Sequence, residues 1–206
     1  MIFFDTGDAR YNFVSCFLPN MRHQFGNYAK GYKNAADVLA RILLDKGTPR
    51  DYDCYPVVFA YRQAFELHLK SIIYGLLLVA GFKRMDNVDG RLWNCHALSS
   101  LASTAGDLLL KAFPEDQEIG GMVQAFRETA DVFSQVDPNS FSYRYPINKT
   151  GHPATPKNQT LNLQGLAEHM SALLEQMEIL DFGINVELDN AQDVYELGQT
   201  MWPDIE

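Results

Sequence analysis

The sequence predicts an all-α protein, an up-and-down bundle of four to five principal helices. Three observations carry that expectation. Apolar residues recur at three- and four-residue spacing through most of the chain, as one buried helix face requires. Pro49, Pro56 and Pro114 punctuate those periodic stretches instead of interrupting them. The 206 residues are 47% hydrophobic and 21% charged, enough to build one compact domain with a sizeable core.

The first helix runs from about residue 21 to 46. Phe25, Tyr28, Tyr32, Ala36, Leu39 and Leu43 share a face, and Gly47 with Pro49 ends it. Pro56 opens the second helix, where its missing donor costs little, and the pattern continues to about Ala80. Val58, Phe65, Leu69, Ile72 and Leu76 form its main apolar face, while Phe59, Leu67 and Tyr74 lie opposite. A helix apolar nearly all round is either central in a bundle or buried in a dimer. Residues 83–95, rich in Gly, Asp and Asn, read as a loop. Helices over about 97–113 and 115–136 follow, separated at Pro114. Leu98, Leu101, Ala105, Leu108 and Ala112 give the first its face; Ile119, Met122, Phe126, Ala130 and Phe133 give the second.

Helical periodicity is lost over 137–160. Phe141, Tyr143 and Tyr145 alternate with polar residues, as in an extended segment, and residues 148–160 read as polar and mobile. A last long helix carries Leu163, Leu166, Met170, Leu173, Met177 and Leu180. Beyond Gly183, the alternation of Ile184, Val186 and Leu188 predicts a short strand, which residues 2–4 would pair as a minor two-stranded contact between the termini. Asn190 followed by Asp193 would cap a terminal helical turn through Met201. The chain thus reads as a single domain over 1–206, with its core over about 21–181 and an acidic C-terminal extension over 182–206.

The net charge of −9 is unevenly spread. Residues 1–84 carry 11 Lys/Arg against 7 Asp/Glu, whereas residues 85–206 carry 6 against 19. Such asymmetry points to self-association, or to an acidic flank packed on a basic one, and argues against broad, sequence-independent nucleic-acid binding. A basic strip survives at Arg144, Lys149 and Lys157, with no acid between Asp137 and Glu168. Cys16, Cys54 and Cys95 are odd in number and widely spaced, which fits reduced thiols in a cytoplasm. The longest apolar run, Ile72 to Phe82, falls short of the roughly 20 residues a membrane span needs. The N-terminal residues lack the basic and apolar regions of a secretory signal. The expectation is a cytoplasmic protein with no membrane association.

Chemistry concentrates in the second helix. Arg62, Glu66 and Lys70 follow four residues apart along one stripe that continues as Ile73 and Leu77. Long charged side chains are rarely buried without partners. The stripe is therefore either a structural ion-pair ladder or a polar pocket mounted on a rigid helix. His96, at a helix start, is the histidine best placed for chemistry, or else a structural residue hydrogen-bonded to Glu66. His68 lies on the flank away from Glu66 and suits a core or dimer interface. Arg144, between Tyr143 and Tyr145, could stack on a base or clamp a phosphate; equally, it could pair Glu66 or the acidic C-terminal half. The chain has no Gly-rich phosphate loop, no His-Glu-x-x-His and no Gly-x-Ser-x-Gly. Nothing in it points to a metal or a cofactor.

Three pieces share one pattern. Arg62-Gln-Ala-Phe-Glu-Leu-His-Leu-Lys70 resembles the R-x-A-x-E-L-x-L-K helix of HEPN-like (higher eukaryotes and prokaryotes nucleotide-binding) domains. His96-Ala-Leu-Ser-Ser-Leu101 is similar to their H-x-L-x-x-L helix opening, and Tyr143-Arg144-Tyr145-Pro146 to the x-R-Y-P segment after the next helix. Their order covers residues 55–181. The resemblance implies a helical bundle, commonly dimeric, tied to nucleotide or RNA chemistry and often to bacterial toxin–antitoxin or defence systems. Ribonuclease members carry an Arg, four to six residues, then a His, near the dimer interface. Arg62 and His68 have five residues between them but lie about 120° apart on a helix. Arg144 and His152 have seven residues between them.

The leading expectation is a non-catalytic binding or interaction domain, a homodimer with a nucleotide, RNA or protein partner. Its ligand-binding set is Arg62, Glu66, Lys70, His96, Tyr143 and Arg144. The alternatives are a metal-independent endoribonuclease using Arg62 and His68, or Arg144 and His152, and a purely structural partner protein.

Overall fold

A computed structural model describes residues 22–47, 50–81, 94–137, 140–148, 150–155 and 160–201. Among them are five α-helices and no strand: α1 (Arg22–Lys46), α2 (Tyr55–Gly81), α3 (Leu98–Ala112), α4 (Gln117–Val136) and α5 (Leu163–Met201). A single 3-10 turn, Asp51–Cys54, leads into α2. The helical bundle expected from the sequence is what forms, and the bounds of α1 to α4 lie within two residues of those read from periodicity. No described helix is long and apolar enough to cross a membrane.

The nearly all-round apolarity of α2 is explained by its place: it packs against α1, α3 and α5, and α3 packs against α4. Tyr61, Phe65, Leu69 and Ile72 are fully buried, each stabilising the fold by roughly 2 kcal/mol. Phe65 meets Phe126 of α4 edge-on, ring centroids 6.4 Å apart. The Tyr61 hydroxyl donates to Asp37 Oδ1 at 2.7 Å, and Lys33 holds the other oxygen at 3.1 Å, so α1 is fastened to α2. At the end of α1 Gly47 takes φ +69°, the left-handed conformation that glycine adopts without strain. Asp116 caps α4 by accepting from the backbone N–H groups of Glu118 and Ile119.

Two expectations are overturned. Residues 184–188 are not a strand but part of α5, which continues unbroken through Gly183 to Met201. Ile184 and Leu188 are one turn apart and both buried, whereas Val186 is exposed, so the alternation is a helical stripe. A Cβ on Gly75 would come within 2.6 Å of Ile184 Cγ2; the missing side chain lets α2 and α5 approach there. The core therefore continues past residue 181, and no separate cap forms at Asn190. Residues 2–4, the expected partners, lie outside the described residues.

The stretch after α4 is also not extended. Asp137 Oδ1 accepts from the backbone N–H groups of Phe141 and Ser142, at 2.7 and 2.8 Å. The N–H groups of Arg144 and Tyr145 both return to the Phe141 carbonyl, closing a turn. The described part of 148–160 is a closed loop. Asn148 N–H donates to the His152 carbonyl at 2.8 Å, and its side-chain oxygen accepts from Thr150 and His152.

Candidate functional site

Helical spacing stacks Arg62, Glu66 and Lys70 along one line of α2, and the turn after α4 brings Asp137 to meet them. Arg62, Glu66 and Asp137 are at most 1% exposed. Arg62 Nη1 donates to Glu66 Oε2 at 3.0 Å, and Lys70 Nζ donates to Glu66 Oε1 at 2.9 Å. Arg62 Nη2 donates to the His96 carbonyl at 2.9 Å, which ties α2 to the segment entering α3. Arg62 Nε lies 3.2 Å from Asp137 Oδ2, an ion pair too poorly aligned for a good hydrogen bond. Two cations and two carboxylates thus neutralise each other in the interior, where any one of them alone would cost several kcal/mol.

Burial alone would raise the pKa of Glu66. The hydrogen bond and charge of Lys70, the His96 hydrogen bond and the Arg62 charge outweigh it, holding the carboxyl below the usual carboxylate range. Glu66 is therefore an ionised acceptor, and the 2.8 Å contact between its Oε1 and His96 Nδ1 places a proton on Nδ1. In the neutral ring Nε2 is then a proton acceptor, on a side chain that is 57% exposed.

The turn fixed by Asp137 presents Arg144. Ser140 adopts φ 59°, uncommon for a residue with a side chain, and its carbonyl accepts from Arg144 Nε at 2.6 Å. The guanidinium carbon lies 5.5 to 5.6 Å from the ring centroids of Phe59, Phe141 and Tyr145, within cation–π range. Arg144 is exposed. No carboxylate among the described residues pairs with it. Half-buried Tyr143 packs on Tyr55, and burial, Asp137 and Tyr55 together raise its pKa.

Of the six residues grouped from the sequence, Arg62, Glu66 and Lys70 form one buried unit with His96 at its edge. Tyr143 and Arg144 sit on the adjoining turn. Arg144 does not pair with Glu66, whose oxygens are taken by Arg62, Lys70 and His96; the Ser140 carbonyl and three rings hold it instead. The Arg/His pairs are not joined. Arg62 faces Glu66 and Asp137, whereas buried His68 faces α5, its Nδ1 3.7 Å from Asp181 Oδ2. His152 contacts Thr150 at 3.0 Å, with no bond to Arg144 among the described residues. Lys149 and Lys157, the rest of the basic strip, lie outside the described residues.

Sequence reasoning missed Asp137, Asp181 and Phe59. Asp181 accepts from Ser71 Oγ at 2.8 Å and joins α5 to α2. Its signal was legible: it is an acid one turn beyond Met177 on the apolar face of α5. Burial, with Asp53 and Asp51 beside it, pushes the Cys54 thiol up and makes it a poor nucleophile. No three His, Cys, Asp or Glu side chains among the described residues are grouped to hold a metal ion. Comparisons with protein-family models, with curated proteins and with solved structures give no match.

Proposed function

We propose that this chain is a non-catalytic, HEPN-like binding domain that takes an anionic nucleotide or RNA group on Arg144, with the buried Arg62–Glu66–Lys70–Asp137 cluster as its rigid floor. One observation supports it above others: an exposed guanidinium, immobilised by the Ser140 carbonyl and three aromatic rings, without a carboxylate partner among the described residues. Fixing the side chain beforehand lowers the entropic cost of binding. A guanidinium matches phosphate oxygens in a planar fork, and neighbouring rings offer stacking faces to a base. In this reading His96 Nε2, at the edge of the buried cluster, and Tyr143, next to Arg144 in the chain, supply further polar contacts. The proposal includes the setting that the family resemblance implies: a cytoplasmic homodimer with a protein partner, in a toxin–antitoxin or defence system.

The test is mass spectrometry of small molecules and RNA released from the purified protein, followed by titration with ATP and a short unstructured RNA. Arg144→Ala should weaken binding by about tenfold or more, the worth of one charge-assisted hydrogen bond, while leaving the fold intact. A lower melting temperature with unchanged binding would overturn the reading.

A second reading, a metal-independent endoribonuclease, draws support from His96, whose exposed imidazole is backed by an ionised carboxylate as a general base would be. RNA cleavage without added metal, lost in His96→Ala, would establish it; so would loss in variants of Arg62, His68, Arg144 or His152. The third reading, a structural partner protein, rests on the full burial of the four-charge cluster, which suits a device that fixes helix register.

A further inference from the structure

Between α2, α4 and the start of α5 lies a cavity of about 380 Å³, within the size range of small-molecule sites. Val58, Val132, Phe133, Val136, Leu166 and Met170 supply most of its wall. Two features distinguish it from a packing flaw. Its wall carries convergent polar groups: the Thr129 hydroxyl, buried and 2.8 Å from His169 Nε2, and half-buried Tyr143. Its apolar lining also continues outward, since Val132 and Leu161 both line it and are solvent-exposed, giving an apolar mouth.

The charges around the cavity restrict what can enter. Glu128 is on the wall, and among the described residues no Lys or Arg is. An anion entering would lose its hydration without gaining a Lys or Arg counter-charge from the described wall, and would meet the Glu128 carboxylate. A neutral molecule with an apolar body would bury that body against Val, Leu, Phe and Met side chains. We propose that this cavity is a binding site for a small neutral molecule, an apolar ring system or chain of roughly ten heavy atoms carrying one hydroxyl or amide. The polar head meets the Thr129–His169 pair, where a hydroxyl can donate to one partner and accept from the other. Tyr143 borders both sites, but this one does not rest on the anion reading of Arg144 and makes the opposite demand on ligand charge.

The experiment is a calorimetric titration of the full chain at neutral pH with 2-naphthol, and separately with 2-naphthoate, which has nearly the same ring system but is anionic. Naphthol should bind saturably, one per chain, and naphthoate at least about tenfold more weakly, a difference of roughly 1.4 kcal/mol. Leu166→Trp and Val136→Phe, which fill the cavity, should each lower naphthol affinity by about tenfold or more while melting cooperatively. If the larger replacement does not fold, Val136→Phe carries the same test. Thr129→Val should weaken naphthol by about fivefold, the loss of one neutral hydrogen bond. Absence of naphthol binding up to its solubility limit, equal affinity for naphthoate, or unchanged binding in a folded cavity-filled variant would each overturn the assignment.

Discussion

Glu66 accepts from three donors at once, and that makes it the residue on which the buried cluster depends. Replacing it with Gln leaves Arg62 and Lys70 facing a neutral amide in the interior, with only Asp137 to balance them. Glu66→Gln should therefore destabilise the protein by roughly 3–5 kcal/mol, read as a shift in the urea midpoint. The pH dependence has a definite sign. The folded-state pKa is below the unfolded one, so the stabilisation is complete above the ordinary Glu value of about 4.3 and is lost as pH falls through the folded pKa. Melting curves of wild type and Glu66→Gln should converge on acidification; a constant gap down to strongly acid pH would show that the carboxylate charge is not what stabilises. The Arg62–Glu66–Lys70 line was legible because four-residue spacing is a local property of a helix. Asp137 was not, because its contact with Arg62 is set by the turn beyond α4, and no periodicity encodes that turn. Arg144 was visible as a cation between aromatics, but the ring of Phe59 comes from a distant helix.

At the level of elements, α5 is where local pattern and tertiary context parted. Ile184, Val186 and Leu188 fit period two over five residues, while Ile184 and Leu188 also fit a helical turn; so short a window cannot separate them. Contact with α2 decides. Asp181 bonds Ser71, and Ile184 fills the space that Gly75 leaves. Gly75→Ala tests this register. Alanine is intrinsically the better helix former, by about 1 kcal/mol, yet its methyl group would clash with Ile184 Cγ2, and such overpacking costs about 1–3 kcal/mol. The expected outcome is a net loss of stability in Gly75→Ala. The double variant Gly75→Ala/Ile184→Ala should be less destabilised than the sum of its parts, because truncating Ile184 removes the clash. Strict additivity would place Ile184 elsewhere than against Gly75.

For the whole molecule, the enclosure of α2 changes which surface can serve a homodimer. Most of its apolar side chains are buried within one chain, against α1, α3 and α5, which leaves little of them for a second copy. Among the described residues α1 exposes Val38, Leu39 and Ile42, and α5 exposes a more open stripe, where Ile179, Phe182 and Val186 follow at three- and four-residue spacing, Phe182 at 71%. Large apolar side chains lined up on one solvent-facing helix mark an interaction surface more often than chance exposure does. If the proposed homodimer forms through this stripe, light scattering at high micromolar concentration should report twice the mass of one chain. Phe182→Asp should return the mass to that of one chain. Because the side chain is largely exposed, the substitution should change the stability of the single chain by no more than about 0.5 kcal/mol. The opposite charge balance of the two halves of the chain adds a second handle. An interface assisted by that asymmetry weakens as salt rises, whereas one made by the α5 stripe alone holds or tightens. A wild-type protein that stays a single chain at moderate salt and high concentration would leave the α5 stripe without a second copy to bury it, and the homodimer would be withdrawn.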